Sequence, residues 1–183
     1  MKNIKRYTLA VYVLIAIVFI LGFQFQVSKA EGVDYVADTM EKREILWLAR
    51  IIYSETKKES EQVLVAWIVR NRVDTEFRGS TYEQVAKSPA QFSGLHSGDA
   101  QYSHNISREY ESAGESWKKA LSIAKAVYFA DESLRPFPET VRHFYSPRSV
   151  LVDPDWAATH KPVVVLKDNE NEQVRFAFYD SVK

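Results

Sequence analysis

The sequence predicts an α+β domain that is mostly helical, with a small β-hairpin or sheet, preceded by an N-terminal signal or anchor helix. Two observations predict the domain. Apolar residues recur every three or four positions from Glu41 onward, which is the helical period, and short segments rich in β-branched and aromatic residues follow residue 140. A third observation, an apolar run behind a basic N-terminus, predicts the leader.

The composition excludes several classes of protein. Of the 183 residues, 46% are hydrophobic and 13% aromatic, which excludes an intrinsically disordered chain. There is no cysteine, and therefore no disulfide framework. The formal net charge is zero, but the first 30 residues hold four basic residues and no acidic one, so the remainder carries −4. Such a remainder has no basic footprint for nucleic acid, and we expect no nucleic-acid partner.

The leader occupies residues 1–30. An apolar stretch over residues 7–23 follows the basic start, and the small residues Ser28 and Ala30 suit cleavage after Ala30. Its 17 residues would span about 26 Å as a helix, which is long for a secretory signal and just short of a comfortable transmembrane helix. The sequence predicts a cleaved signal or a membrane anchor. Either one would export the rest of the chain to the cell envelope, in the periplasm or the cell wall, as a secreted or an inner-membrane-anchored protein.

The exported part divides into a polar spacer, residues 31–40, and one domain, residues 41–183, which we expect to be monomeric. A first helix is predicted to begin at Glu41 and to end near Glu55. The next segment, Thr56-Lys57-Lys58-Glu59, has the pattern of a capping box and predicts a second helix through the apolar run Val63–Val69.

Further elements follow in order. Ser80-Thr81-Tyr82-Glu83 repeats the capping pattern and predicts a short helix that ends before Pro89. The polar stretch from Gln91 to about Gly114 is long for a structureless connection, which is typical of functional or mobile loops. Ser112-Ala113-Gly114-Glu115 predicts the start of a further helix, and strands over residues 141–145, 163–166 and 173–179 complete the prediction.

Glu55 is the first candidate for catalysis. It continues the apolar stripe of its helix, on the same side as Leu48, so its carboxylate stands where the pattern requires an apolar side chain. Burial and the C-terminal end of a helix both raise the pKa of a carboxylate. A glutamate that keeps its proton near neutral pH suits general acid catalysis of glycosidic cleavage. The alternative is that Glu55 lies at a frayed helix end in solvent.

Five segments share an order and spacing with a known family. They are Leu48-Ala49-Arg50-Ile51-Ile52-Tyr53-Ser54-Glu55, Gln62-Val63 with Val69-Arg70-Asn71-Arg72-Val73, Gln91-Phe92-Ser93, His143-Phe144-Tyr145-Ser146-Pro147 with the later Trp156, and Val174–Tyr179. Together they resemble the cell wall hydrolase family typified by bacterial spore-cortex-lytic enzymes. The resemblance covers about residues 44–179.

The resemblance implies a lysozyme-like fold, a peptidoglycan substrate and Glu55 as the catalytic acid. It further implies a lytic transglycosylase, in which one carboxylate acts as acid and then as base while the muramyl C6 hydroxyl closes an anhydro ring. Two departures concern the walls of the site. Thr56-Lys57-Lys58-Glu59 replaces the small residue and Arg-Gly-Glu usual in the family, and Ala90 replaces a glycine before Gln91.

The expected glycan-binding residues are aromatic faces and polar groups at positions that match the family. Phe92 and Phe144 also suit the core, and Trp156 also suits packing under a loop. The spacing of the four histidines matches no metal motif, and we expect no metal and no cofactor. The candidates for substrate binding are Gln91, Phe92, Ser93, His143, Tyr145 and Trp156.

Two alternatives to the transglycosylase remain. A hydrolytic muramidase would need a second carboxylate, for which Glu59, Asp74 and Asp99 are the candidates. A non-catalytic wall-binding or scaffold protein on the same fold is favoured by the changed segment after Glu55.

Overall fold

The computed structural model describes residues 34–168, 173–180 and 182. The predicted signal or anchor over residues 1–30 lies outside them. Within the described ranges, none of the helices combines the length and the apolar character needed to cross a membrane.

The described chain forms a helical body and a three-stranded antiparallel sheet, which confirms the α+β class. The strand order is β1-β3-β2. The elements are α1 (Asp34–Glu55), α2 (Glu59–Asp74), α3 (Tyr82–Lys87), α4 (Tyr102–Ile106), α5 (Glu115–Tyr128), β1 (Val141–Tyr145), α6 (Asp155–Thr159), β2 (Pro162–Lys167) and β3 (Val174–Asp180), with short 3-10 helices at Ser93–Leu95 and Glu132–Leu134.

The core lies where α1, α2 and α5 pack together. Trp67 of α2 and Trp117 of α5 are fully buried, as is most of the apolar run Val63–Val69. A run that is buried on nearly all sides explains why α2 shows no polar face at its centre. β1 packs against α2, and Phe178 of β3 closes the core from the sheet.

Two helix starts differ from the prediction. α1 begins at Asp34 rather than Glu41, so most of the predicted spacer is helical. The described side chains of this first part, residues 38–40, are exposed, so no buried apolar stripe reveals it; Asp38 pairs with Lys42 one turn later, at 2.5 Å. α2 begins at Glu59 with Lys58 as its N-cap and no side-chain cap, so the predicted capping box at Thr56 is wrong.

The hydroxyl of Thr56 has a different role, in holding the turn that follows Glu55. It donates to the buried carboxylate of Glu61, and Arg175 of β3 donates to the other oxygen of that carboxylate. The side-chain amide of Gln62 donates to the Thr56 carbonyl at 2.8 Å. The turn between α1 and α2 is thereby tied to both α2 and the sheet, which fixes the position of Glu55.

The cap of α3 lies one residue later than predicted. Thr81, and not Ser80, is the N-cap, and its hydroxyl accepts from the Gln84 N–H at 3.2 Å. The helix ends at Lys87, before Pro89, as predicted. β1 has the predicted bounds, and β2 and β3 differ from theirs by one residue at each end. The polar stretch after Gln91 contains the 3-10 helix at Ser93–Leu95 and α4, which the sequence did not predict, and α6 was also missed.

The segment that leads to Gln91 has a strained backbone. Ala90 and Phe92 adopt positive φ angles of 57° and 41°. This left-handed conformation costs an L-residue with a Cβ about 1–2 kcal/mol, whereas glycine adopts it freely. Gly94 is needed for another reason, since a Cβ there would lie 3.0 Å from Asn105 Nδ2 and 3.3 Å from Ser54 Cβ. The loop thus packs closely on the end of α1.

We expect Ala90→Gly to raise the free energy of unfolding by about 0.5–1 kcal/mol, because relief of the left-handed strain exceeds the added flexibility of the unfolded chain. Urea denaturation measures this. Ala126→Gly, in the last turn of α5, is the matched control and should lower stability by up to about 1 kcal/mol. Equal losses in both variants would show that Ala90 is not strained.

Candidate active site

A cleft of about 390 Å³ lies between the helical body and the sheet. Glu55 enters it from the end of α1 and Arg72 from the end of α2. The strained segment 90–92 forms one wall, β1 residues 143–145 form another, and Trp156 of α6 borders the mouth. Five of the six residues predicted to bind glycan line this cleft together with Glu55: Gln91, Phe92, His143, Tyr145 and Trp156.

Ser93, the sixth predicted residue, lies elsewhere. Its side chain is exposed and lines a neighbouring pocket that shares Ala90 and Gln91 with the cleft. That pocket also contains Asp99.

Glu55 is partly buried at the last residue of α1. Removal from water raises the pKa of its carboxyl from 4.5 to about 7, against the opposing attraction of Arg72 and Lys57. Desolvation exceeds that attraction because neither cation forms an ion pair with the carboxylate among the described residues; Lys57 instead donates to the Tyr53 carbonyl and lies over the Tyr53 ring. The group is therefore poised to hold or release a proton near neutral pH.

Arg72 connects three parts of the cleft. It is 3% exposed, and its Nε donates to the Arg142 carbonyl of β1 at 2.8 Å. Its Nη1 donates to Gln91 Oε1 at 2.9 Å, and its guanidinium lies over the Phe92 ring. Burial and the neighbouring Arg78 lower the pKa of Arg72 to about 9, so it remains a cation at neutral pH.

Gln91 is held before any ligand binds. Its carbonyl oxygen accepts from Arg72, and its Nε2 donates to the Ala90 carbonyl at 2.8 Å. An amide has two lone pairs and two N–H groups, so one of each remains for a ligand. Gln91 can therefore both support the wall and hydrogen-bond to a sugar.

His143 cannot act as a proton shuttle at neutral pH. Burial and the nearby Arg72, Arg78 and Arg142 lower its pKa to about 4, which keeps the ring neutral. The ring packs between Phe77, at a centroid distance of 5.2 Å, and Trp156, at 5.4 Å. Its position indicates a packing role in the wall of the cleft.

An aromatic cluster forms the sheet side of the cleft. Trp156 packs edge-on against Tyr145, at 5.6 Å, and against Tyr179, at 5.1 Å, while remaining partly exposed to the cleft. Burial and the neighbouring Tyr179 and Asp153 raise the pKa of Tyr145, so its hydroxyl stays protonated. Phe92 belongs to the core and also borders the cleft, and thus combines the two roles that the sequence left open.

None of the three predicted second carboxylates lines the cleft. Glu59 pairs with Lys119 at 2.6 Å, and Asp74 pairs with Arg135 at 2.9 Å. Asp99 lies in the neighbouring pocket. Among the described residues that line the cleft, Glu55 is the sole carboxylate.

The sequence reasoning missed Arg72 and Arg78 as cleft residues. A signal for Arg72 was present, since it continues the buried stripe of α2 three and four residues after Val69 and Ile68, the pattern that singled out Glu55. Arg78 lies in a turn and carries no such signal. No three His, Asp or Glu side chains of the described ranges are grouped in a way that could hold a metal ion.

A family model described as Cell Wall Hydrolase matches residues 56–170, more than half of the chain. The chain belongs to the cell wall hydrolase family. Family membership confirms the resemblance and indicates a hydrolase that acts on the cell wall, with an exported or cell-envelope role. The match begins directly after Glu55 and includes the cleft residues from Arg72 to Trp156. Comparison with curated proteins and with solved structures finds no match.

In this cell wall hydrolase we expect Glu55→Gln to raise the free energy of unfolding by about 1–2 kcal/mol at pH 8. The pKa of 4.5 rising to about 7 corresponds to about 3 kcal/mol of penalty on the charged form, part of which solvent in the cleft screens. Because the folded state binds its proton more tightly, wild-type stability falls as pH rises through this window.

Denaturation at pH 4 and pH 8 measures the effect, and the gain should vanish at pH 4, where glutamic acid and glutamine are both neutral. Glu59→Gln, which removes a paired surface carboxylate, is the matched control and should show no gain at pH 8. A Glu55→Gln variant that is no more stable at pH 8 than the wild type would contradict the burial of this charge.

Proposed function

We propose that the protein cleaves the glycan strand of peptidoglycan between N-acetylmuramic acid and N-acetylglucosamine, as a lytic transglycosylase on a lysozyme-like body. The observation that carries the proposal is that one carboxylate, Glu55, lines the cleft, and that burial raises its pKa to about 7. A transglycosylase needs a single group that donates a proton and then accepts one, and this pKa suits both steps at neutral pH.

In the first step the protonated Glu55 donates its proton to the glycosidic oxygen. The C1–O bond breaks, the N-acetylglucosamine side leaves as an alcohol, and positive charge develops on the muramyl ring. Glu55 is now a carboxylate, and its negative charge stabilises the oxocarbenium-like centre. The nearby cation Arg72 is engaged with Arg142 and Gln91 and does not neutralise this carboxylate.

In the second step Glu55 acts as a base. It accepts the proton of the C6 hydroxyl of the same muramyl sugar while that oxygen bonds to C1, which closes the 1,6-anhydro ring and restores the protonated acid. No water molecule enters the products. The described lining of the cleft holds no second carboxylate, which supports this route because a hydrolase must activate water.

The walls of the cleft suit a sugar chain. The aromatic cluster of Tyr145 and Trp156 offers ring faces and edges to the C–H side of a pyranose, and Gln91 keeps one donor and one acceptor for an N-acetyl or hydroxyl group. Export through the leader over residues 1–30, as signal or anchor, would bring the cleft to its substrate.

The decisive test is product analysis with purified sacculi. We expect wild-type protein to release anhydromuropeptides and Glu55→Gln to be at least about 100-fold slower, the size of a general acid contribution. Glu59→Gln should retain wild-type activity, because that carboxylate pairs with Lys119 outside the cleft. Mass spectrometry distinguishes the anhydro products from their hydrated counterparts.

Other outcomes would favour the alternatives. Products with a reducing-end muramic acid would identify a hydrolytic muramidase. Sedimentation with sacculi without any product would identify a wall-binding protein. Equal activity of wild type and Glu55→Gln would exclude Glu55 as the acid.

The pH dependence gives an independent prediction. Because the free enzyme must hold the proton on Glu55, kcat/KM should fall as pH rises through about 7, approaching tenfold per pH unit. A histidine could produce a similar limb. The control is His96→Gln, which removes the imidazole of the neighbouring pocket. This variant should keep the fall in kcat/KM, because His96 does not line the cleft. A kcat/KM that stays constant from pH 6 to pH 9 would contradict the assignment.

A further inference from the structure

Two arginines flank one aromatic ring beside the cleft. The guanidinium carbons of Arg78 and Arg142 lie 5.2 Å and 4.4 Å from the centroid of the Phe77 ring. Arg78 lines the cleft, and the same ring contacts His143 of the cleft wall. The positive charges of Arg72, Arg78 and Arg142 all lower the pKa of His143, so three guanidinium groups lie near this end of the cleft.

The backbone is shaped to bring these cations together. Arg78 adopts a positive φ of 68°, which is costly for a residue with a Cβ. Arg142 lies where the pairing of β1 with β3 shifts register between Val141 and His143. The shift allows the consecutive residues Arg142 and His143 both to contact Phe77. Two local irregularities thus converge on one pair of side chains.

Neither arginine of the pair has a counter-ion among the residues that the structure describes. Across the described ranges, neither Arg78 nor Arg142 forms an ion pair or a side-chain hydrogen bond, and Arg142 Nε is buried without a partner. Several other arginines of the domain are matched with carboxylates, such as Arg50 with Glu109 and Arg135 with Asp74. Both guanidinium groups lie within about 5 Å of the Phe77 centroid, Arg78 exposed to solvent and Arg142 partly buried, so an anion beside this ring would be attracted by two cations.

We propose that Arg78 and Arg142 form a subsite for carboxylates attached to the muramyl sugar. In intact strands these are the carboxylates of the stem peptide. The inference rests on the proposed function and names its substrate class: acidic, peptide-bearing glycan. The lactyl group of the muramyl sugar carries the stem peptide, so the carboxylates of that peptide are the anions nearest the bond to be cleaved. Guanidinium groups bind carboxylates through paired hydrogen bonds, which matches this ligand.

The test compares soluble peptide-bearing strands that have free carboxylates with the same strands after the carboxylates are converted to amides. For the wild type, amidation should lower kcat/KM about tenfold, mainly through KM. The variant R78Q/R142Q should lose the same factor on free strands and nothing further on amidated ones. The double variant K118Q/K125Q, which removes two exposed cations from α5, is the charge-matched control and should behave as the wild type.

Denuded strands, whose only carboxylate is that of the lactyl group, identify the source of the anion. Slow cleavage of these strands, equal in wild type and variant, assigns the subsite to the stem peptide. Fast cleavage that the variant loses assigns it to the lactyl group. Equal cleavage of free and amidated strands by the wild type overturns the proposal, as does a variant that is equally impaired on both.

Binding separates this proposal from the catalytic one. The dissociation constant of Glu55→Gln for free strands should rise about tenfold when R78Q/R142Q is added, and should not change for amidated strands. Carboxylate-dependent binding without Glu55-dependent cleavage would exclude the proposed reaction and keep the subsite. Cleavage that depends on Glu55 but not on the carboxylates of the substrate would keep the proposed reaction and exclude the subsite.

Discussion

The hydrogen bonds of Arg72 hold the cleft together. From the end of α2 this buried cation donates to the Arg142 carbonyl of β1 and to the side chain of Gln91 in the strained segment. Helix, sheet and loop are thus fixed around one guanidinium that keeps its charge at neutral pH. Because these acceptors are neutral and occupy Nε and Nη1, Arg72 approaches Glu55 without pairing with it. Desolvation of Glu55 then outweighs the attraction of Arg72, and the carboxyl holds its proton to about pH 7.

The site combines several features that cost stability. A desolvated carboxylate lies at a helix end, Arg78, Ala90 and Phe92 adopt left-handed backbone conformations, and Arg142 Nε is buried without a partner among the described residues. Such costs are tolerated where function requires them, while the body of the protein supplies the compensating stability. Here that body is the packing of α1, α2 and α5 around Trp67 and Trp117, together with the buried Glu61–Arg175 pair that ties the turn after Glu55 to the sheet.

Local signals predicted much of the fold. The bounds of β1 and the end of α3 before Pro89 follow from residue type and spacing, and the raised pKa predicted for Glu55 from a carboxylate in an apolar stripe is present. Features that depend on contacts between residues distant in sequence, or that lack a periodic pattern, were not predicted. Thr56 has the pattern of a cap but bonds to Glu61, and the exposed start of α1 has no apolar periodicity. The arginines around Phe77 come from two segments far apart in sequence, and only the folded chain brings them together.

Catalysis by Glu55 requires that this side chain carry a proton near neutral pH, in a cleft whose described lining holds no other carboxylate. The most direct measurement is an NMR titration of the glutamate side-chain carboxyl carbons in isotope-labelled protein, with Glu55→Gln used to assign the resonance. The account predicts one glutamate that titrates near pH 7 in the wild type and is missing from the variant. A Glu55 resonance that titrates near the ordinary value of about 4.3 would contradict it.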